Sequence, residues 1–240
     1  HLARRAALTT ATVLALASLA LLIPAASGFG LAHAQGQVLR VGAVVSRTGA
    51  SAALGEGEAN ALELLQKRYA AEGVGTGLGL EITVMDDGSD TEKTVALVKE
   101  LLADGEVDAI ICCTRSVGSL AVLALAQSAR VPLISLAAAT PVTEPAESRR
   151  WVFSTVPSDR LVLGGVLADM KARGISDISF LGLADAYGES RLVELQVLLM
   201  GSGIELDAAV RYDADAESYT APVLAAMLKR PQAVLVWGIV

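Results

Sequence analysis

The sequence predicts an α/β protein built as two lobes, each a parallel, doubly wound sheet, with the second lobe incomplete. Between residues 38 and 240, short apolar runs of strand character alternate with helical patterns, which is typical of parallel strands joined by crossover helices. Thr, Pro, Glu and Arg interrupt this alternation at residues 138–150, and it then restarts. We therefore predict two successive lobes joined near residues 155–158.

The first lobe is predicted to contain five strands and three helices. The first strand leads into a Gly-rich turn with Gly49 and Gly55, and Asp90 stands where it would cap a helix. The apolar run Ala109–Ile111 predicts a strand buried on both faces. The strands are predicted at residues 38–45, 80–85, 108–112, 132–135 and 151–155, and the helices at 58–71, 91–103 and 116–129.

The second lobe repeats the alternation, beginning with a helix. Helices are predicted at residues 159–172, 187–200 and 219–229, and strands at 177–183, 206–212 and 233–237. The last residues stop within or just after an apolar strand pattern, and the chain does not begin with Met. We interpret the sequence as a fragment with domains at 1–34, 35–156 and 157–240.

Residues 1–34 are predicted to be a signal peptide. Arg4 and Arg5 precede an apolar run at 11–23, and Ala32-His33-Ala34 offers a cleavage site before Gln35. A membrane anchor is the alternative, but a spanning helix needs about 20 apolar residues. The mature protein is therefore expected to be exported. The Arg pair is a poor match to twin-arginine export.

Composition excludes several classes of function. The 26 acidic residues outnumber the 19 basic ones, so the chain lacks the basic character of a nucleic-acid-binding protein. Removing residues 1–34 removes both histidines, which excludes Ser-His-Asp and Cys-His catalysis and histidine metal sites in the mature chain. We predict no metal and no cofactor. The adjacent Cys112 and Cys113 are interpreted as small buried apolar residues, with a vicinal disulfide as the alternative.

The sequence also lacks the motifs of nucleotide-binding sites and hydrolases. Glycines at 73, 75, 77 and 79 precede a strand instead of following one, and their spacing does not give GxGxxG. We interpret them as a flexible turn. Neither GxxxxGK[ST] nor GxSxG occurs in the chain, so we expect a protein that is not an enzyme.

Three residues stand at helix starts on the edge where a parallel sheet binds ligands. Ser116 could hold an anion with the free N–H groups of its helix, or it could be only an N-cap. Asp159 could cap its helix or face a cationic ligand, and Tyr187 could close over a ligand or only pack. Arg115 could pair with a ligand carboxylate or form a surface salt bridge.

An ordered set of short motifs resembles the substrate-binding proteins of branched-chain amino acid ABC transporters, which are type I periplasmic binding proteins. The resemblance covers residues 38–237. The motifs are VGA (41–43), TG (48–49), LG (54–55), MDDGSD (85–90), VDAII (107–111), VPLIS (131–135), WVF (151–153), PSD (157–159) and DAYGE (185–189).

The resemblance implies a ligand site at the strand ends. It places the ligand carboxylate at Ser116. In the family this serine lies four residues after a glycine that ends the third strand, and Cys112 stands at the position of that glycine. The next hydroxyl donor of the family falls on Ala139, with Thr140 as a substitute and Ala137 in the same loop. The ligand ammonium would meet Asp159, Tyr187 would be the aromatic of the second lobe, and Leu54 replaces an aromatic near the first turn. A further acidic residue of the family would lie beyond residue 240.

The resemblance further implies an exported, periplasmic protein that closes its lobes around a solute and delivers it to an ABC transporter permease. The expected ligand is an amino acid, an amide or an aromatic acid. The lost hydroxyl at Ala139 argues against leucine, isoleucine or valine. A sensor of amides or amino acids with the same fold is the alternative, and an exported α/β enzyme is a second rival that ligand turnover would reveal.

Overall fold

The computed structural model describes residues 38–72 and 79–238, in which eight strands and six helices alternate. The strands are β1 (Val38–Val45), β2 (Gly79–Asp86), β3 (Ala109–Cys112), β4 (Leu133–Ser135), β5 (Val152–Ser154), β6 (Asp177–Leu183), β7 (Glu205–Tyr212) and β8 (Ala233–Trp237). The helices are α1 (Ala52–Glu72), α2 (Thr91–Ala103), α3 (Ser116–Ala129), α4 (Asp159–Ala172), α5 (Ala186–Leu199) and α6 (Thr220–Met227).

The strands form two parallel sheets, as the alternation predicted. The first has the order β2-β1-β3-β4-β5, and β1 pairs with β3 in the register Val41 to Ala109. The second has the order β7-β6-β8, with Ile178 of β6 opposite Ala233 of β8. The first strand of each sheet, β1 or β6, is therefore central, with the next strand on one side of it and the following strand on the other.

This order creates one switch point in each sheet, where successive helices leave on opposite faces and a crevice opens beyond the strand ends. The switch point of the first sheet lies between β1 and β3, next to residues 112–116. That of the second sheet lies between β6 and β8, next to Asp185, Tyr187 and Trp237. The ends of these strands are therefore the places in each lobe where a ligand is expected.

Apolar side chains of the strands and of the helices packed on them form the cores. In the first lobe, Val44, Ile110 and Leu133 are fully buried against helices α2 and α3. In the second lobe, Phe180 and Leu195 are buried with Leu163 between β6, α5 and α4. This burial fixes the helix starts against the strand ends, because each helix packs on the sheet along its apolar face.

Helix α1 begins earlier than the sequence predicted, at Ala52 instead of residue 58. Gly55, which we assigned to a turn, lies inside this helix. A Cβ on Gly55 would overlap the Ser46 carbonyl oxygen, so the helix approaches the end of β1 more closely than any other residue would allow. The glycine is thus a close-contact residue and not a turn residue.

The structure corrects our preferred interpretation of the two cysteines. Cys112 and Cys113 are fully buried, as predicted, but they are joined in a vicinal disulfide. Two further sequence predictions concern segments outside the described residues. They are the signal peptide at 1–34 and most of the flexible turn that contains the glycines at 73, 75, 77 and 79, of which residues 73–78 are not described. Among the helices that the structure describes, none is long and apolar enough to cross a bilayer.

Candidate functional site

Hydrogen bonds tie together the strand ends of the first lobe. The backbone N–H of Ser46 donates to the Thr114 hydroxyl at 2.9 Å, and that hydroxyl donates to Glu58 at 2.5 Å. The Ser46 hydroxyl in turn donates to the buried Asp87 at 2.7 Å. Burial raises the pKa of Glu58, the Thr114 hydrogen bond opposes this rise, and the charge of Asp87 adds to it. This network holds the ends of β1 and β3 in fixed positions beside the crevice.

Ser116 is the first residue of α3, not its N-cap. Arg115 occupies the N-cap position, and its side chain makes no capping hydrogen bond. Ser116 is only 5% exposed, and its hydroxyl has no hydrogen-bond partner among the described residues. A helix start without a side-chain cap leaves backbone N–H groups available to an anion. The N-cap interpretation of Ser116 is therefore wrong, and the geometry suits an acceptor such as a carboxylate.

The loop after β4 brings the first lobe to the second. Ala137 and Ala139 are buried, and Ala139 precedes a short 3₁₀ turn over Thr140–Val142. The backbone N–H of Thr140 donates to the Ser190 hydroxyl at 3.0 Å and, more weakly, to Asp159 at 3.3 Å. A backbone donor of the first lobe thus contacts two residues at the start of second-lobe helices.

Asp159 is likewise not an N-cap. Ser158 caps helix α4, with its hydroxyl 3.4 Å from the Leu161 N–H. The Asp159 side chain is fully buried and accepts a hydrogen bond from the Ser190 hydroxyl at 2.7 Å. Burial raises the pKa of Asp159, whereas the Ser190 hydrogen bond and the charge of Arg191 lower it.

Arg191 is the direct countercharge of Asp159. Its Nη1 lies 2.6 Å from Asp159 Oδ1, and its side chain is only 4% exposed. The guanidinium lies over the Tyr187 ring at 5.2 Å and over the Trp237 ring at 4.6 Å. Cation–π contacts of this kind stabilise a guanidinium that is shielded from water. The second-lobe switch point therefore holds a buried ion pair between two aromatic rings.

Several polar atoms at this place have no hydrogen-bond partner among the described residues. They are Nε and Nη1 of Arg191, Nε1 of Trp237, Oδ1 of Asp159 and the hydroxyl oxygen of Thr140, all of them buried. The short Nη1 to Oδ1 contact is an ion pair whose angle is poor for a hydrogen bond. Buried donors are normally paired, and an unpaired group calls for an explanation such as a ligand.

The sequence analysis missed Ser190, Arg191 and Trp237. Arg191 had a detectable signal, because it lies on the face of α5 that also carries the buried Leu192 and Leu195. A charged residue on an apolar helix face is rarely buried without a partner. Ser190 and Trp237 gave no comparable signal, since a serine in a helix start and a tryptophan at a strand end are common.

Tyr187 is the second residue of α5, whose N-cap is Asp185. The Asp185 carboxylate accepts hydrogen bonds from the N–H groups of Tyr187 and Gly188 at 3.0 and 3.1 Å. Asp185 also lies 3.9 Å from Arg115 of the first lobe, whose other terminal nitrogen donates to the Ser89 carbonyl at 3.1 Å. The surface salt bridge that we weighed for Arg115 is thus present, and it links the two lobes.

The fold resembles solved structures of extracytoplasmic binding proteins. An extracellular ligand-binding receptor from Rhodopseudomonas palustris HaA2 is 27% identical, with a TM-score of 0.70 over 82% of this chain and 54% of that one. A solute-binding protein of an ABC transporter from Rhodopseudomonas palustris BisB5, in complex with 3,4-dihydroxybenzoic acid, is 25% identical, with a TM-score of 0.70 over 83% and 54% of the two chains.

A type 1 periplasmic binding protein from Bordetella pertussis Tohama I shares the fold, with a TM-score of 0.76 and 23% identity over 85% of this chain and 56% of that one. The chain thus spans about half the length of these solved structures. No curated protein sequence matches the chain. The sequence profile of the periplasmic binding protein family matches residues 38–239, and the chain belongs to that family.

Proposed function

We propose that the protein is the solute-binding component of an ABC transporter, which captures a small carboxylate between its two lobes and delivers it to a membrane permease. The observation that carries this proposal is the contact between the loop after β4 in the first lobe and the helix starts of the second. The Thr140 N–H of the first lobe reaches Asp159 and Ser190 of the second. A solute held there would contact both lobes only when they are closed, so binding would stabilise the closed form.

Ser116 is the proposed carboxylate site of the first lobe. The Ser116 hydroxyl has no protein partner among the described residues, and the first turn of α3 has no side-chain cap. Backbone N–H groups and a hydroxyl at a helix start are suited to hold a carboxylate. Ala137, Ala139 and Thr140 would line the same side of the pocket. This arrangement supports a carboxylate more directly than it supports an amide.

The lobes are proposed to divide at residues 156 and 157, between the last strand of the first sheet, which ends at Ser154, and helix α4, which begins at Asp159. The backbone N–H of Thr155 still bonds to the Ser135 carbonyl at 3.1 Å. Residues 156–158 would then form one connecting segment of the hinge, because few hydrogen bonds hold them to either sheet.

A periplasmic location is proposed on the basis of residues 1–34 and of the family. Export with removal of the signal peptide would leave Gln35 as the mature N-terminus. Mass spectrometry of the exported protein should give the mass of a chain that begins at this residue. A secreted chain that still contains residues 11–23 would contradict the assignment.

Two classes of carboxylate remain from the sequence analysis, namely amino acids, including the branched-chain ones, and aromatic acids. The relative from strain BisB5 was solved with 3,4-dihydroxybenzoic acid, which supports an acid without an ammonium group. Calorimetry on the full-length protein should compare 3,4-dihydroxybenzoate, benzoate, leucine and urea. We expect saturable binding of at least one carboxylate, no binding of urea, and recovery of the ligand unchanged. Failure of every carboxylate to bind, or chemical turnover, would contradict the proposal.

A further inference from the structure

The second-lobe switch point contains a carboxylate whose charge is already neutralised. Asp159 is fully buried, and its two oxygens face Arg191 at 2.6 Å and the Ser190 hydroxyl at 2.7 Å. Arg191 cannot lose its proton at any physiological pH. An ammonium group placed beside Asp159 would therefore lie a few ångströms from a second, permanent positive charge in a region shielded from water, where like charges repel strongly.

The same place offers several unpaired donors. Its unpaired carboxylate oxygen, Asp159 Oδ1, already lies 2.6 Å from Arg191 Nη1, and the other unpaired oxygen there, among the described residues, is the Thr140 hydroxyl. Arg191 Nε and Nη1 and Trp237 Nε1 are buried without hydrogen-bond partners among the described residues. Each of these atoms can only donate a hydrogen bond. The group that would satisfy them is an oxygen acceptor, such as a hydroxyl, a carbonyl or a carboxylate oxygen. An ammonium, which has no acceptor, would leave them unpaired.

The positions of the two rings make Arg191 a fixed part of this surface. The guanidinium lies 4.6 Å from the centre of the Trp237 ring and 5.2 Å from that of Tyr187. Asp159 contacts it as well, at 2.6 Å from Nη1. A guanidinium held between two rings and a carboxylate is preorganised, so a ligand that accepts its hydrogen bonds need not order it.

We propose that Arg191 determines ligand specificity at the second-lobe switch point. It would exclude an ammonium group and select a solute that presents an oxygen acceptor to it. The inference rests on the proposed function, because it assumes that a carboxylate solute occupies the crevice between the lobes. It assigns the solute to carboxylic acids with an oxygen substituent, such as 2-hydroxy acids or hydroxylated aromatic acids, in preference to 2-amino acids.

Matched ligands that differ only in this substituent test the proposal by calorimetry on the full-length protein. The probes are 3-phenyllactate against phenylalanine and 2-hydroxy-4-methylpentanoate against leucine, with benzoate as a carboxylate that has neither group. We expect the wild type to bind a hydroxy acid at least about 10-fold more tightly than its amino counterpart, since hydrogen bonds to charged groups are worth that much or more.

Arg191→Gln frees Asp159 for an ammonium and should shift the hydroxy-to-amino preference by at least about 10-fold toward the amino acid. Arg191→Lys keeps the positive charge and is the matched control, which should still disfavour the amino acid. The double variant Asp159→Asn with Arg191→Gln removes both charges and leaves no unpaired buried carboxylate. It is therefore the variant to measure if Arg191→Gln alone does not fold. The double variant should lose the preference without gaining affinity for the amino acid.

The possible outcomes separate the two proposals. A wild type that binds benzoate but discriminates within neither pair would overturn the role of Arg191 and leave the proposed function standing. The role of Arg191 would also be overturned if the preference for the hydroxy acid over the amino acid changed by less than about threefold in both the Gln variant and the double variant. A wild type that binds none of the five acids would contradict the proposed function itself.

Discussion

Arg115 at the start of α3 in the first lobe faces Asp185, the N-cap of α5 in the second lobe, with 3.9 Å between Nη2 and Oδ2. Their side chains are 31% and 23% exposed, so water screens the pair only in part. The ion pair stands at the edge of the crevice and brings the two switch points together. It is a side-chain contact that joins the two lobes.

This contact should contribute little to stability. We expect a double-mutant cycle with Arg115→Gln and Asp185→Asn to give a coupling energy of about 0.2–1 kcal/mol, because partly exposed pairs are screened and their side chains lose entropy. The measurement is the free energy of unfolding from urea titration. The exposed pair Arg173 and Asp169, at 2.8 Å, is the matched control. A coupling energy above about 2 kcal/mol would show that the contact is a main support of the interlobe geometry.

Gly188 is predicted to be essential for the position of α5. A Cβ at this residue would overlap the Leu183 carbonyl oxygen, so the helix would have to move away from β6. Gly188→Ala should lower the free energy of unfolding by about 1–3 kcal/mol and displace Tyr187. Gly165→Ala in α4 is the control, since its Cβ would meet nothing within 4 Å, and it should be stabilising by about 0.5–1 kcal/mol. Equal effects at the two sites would refute the close approach.

Stability should depend on pH through Glu58. Burial raises the pKa of this carboxyl from its usual value of 4.5, which means that the folded state binds the proton more tightly than the unfolded state. The resulting stabilisation is present at pH values below the unfolded pKa and is lost as the pH rises through the folded pKa.

Glu58→Gln should therefore become more stable relative to the wild type as the pH is raised from about 4 to 7. Urea titrations at intervals across this range measure the difference. Glu56→Gln, at an exposed position of the same helix, is the matched control for the substitution itself. A difference for the Glu58 variant that is constant with pH, or that falls, would contradict the raised pKa.

Ser116 is expected to affect binding and not folding. Because its hydroxyl has no protein partner among the described residues, Ser116→Ala should leave the free energy of unfolding nearly unchanged. It should weaken carboxylate binding by about 0.5–1.5 kcal/mol, since the helix N–H groups still face the ligand. Ser218→Ala, on the exposed loop before α6, is a control for calorimetry. Loss of stability without loss of affinity would return Ser116 to a structural role.

The order of the elements could be predicted because the alternation of apolar runs and helical patterns is a local signal. Helices α2, α3 and α4 begin and end at the predicted residues. The start of α1 could not be predicted, since the close approach of Gly55 to Ser46 depends on how the helix meets β1. A glycine in a sequence favours a turn, and only the packing shows that it lies within a helix.

The candidate site was only partly predictable for a similar reason. Ser116, Asp159 and Tyr187 follow from their positions after strands, which sequence spacing can locate. The partner of Asp159 could not be found in this way, because Arg191 lies 32 residues further along the chain and meets it only through the packing of α4 on α5. The expected pairing of Asp159 with a ligand ammonium thus took no account of a cation supplied by the protein itself.

The most direct test of binding between the lobes is hydrogen–deuterium exchange on the full-length protein, with and without the carboxylate that binds most tightly in the calorimetric panel. Backbone amides of residues 112–118 in the first lobe and 185–191 in the second should both become protected, because a solute in the crevice orders both switch points. Protection of one segment alone, or of neither, at saturating ligand would contradict a site shared by the two lobes.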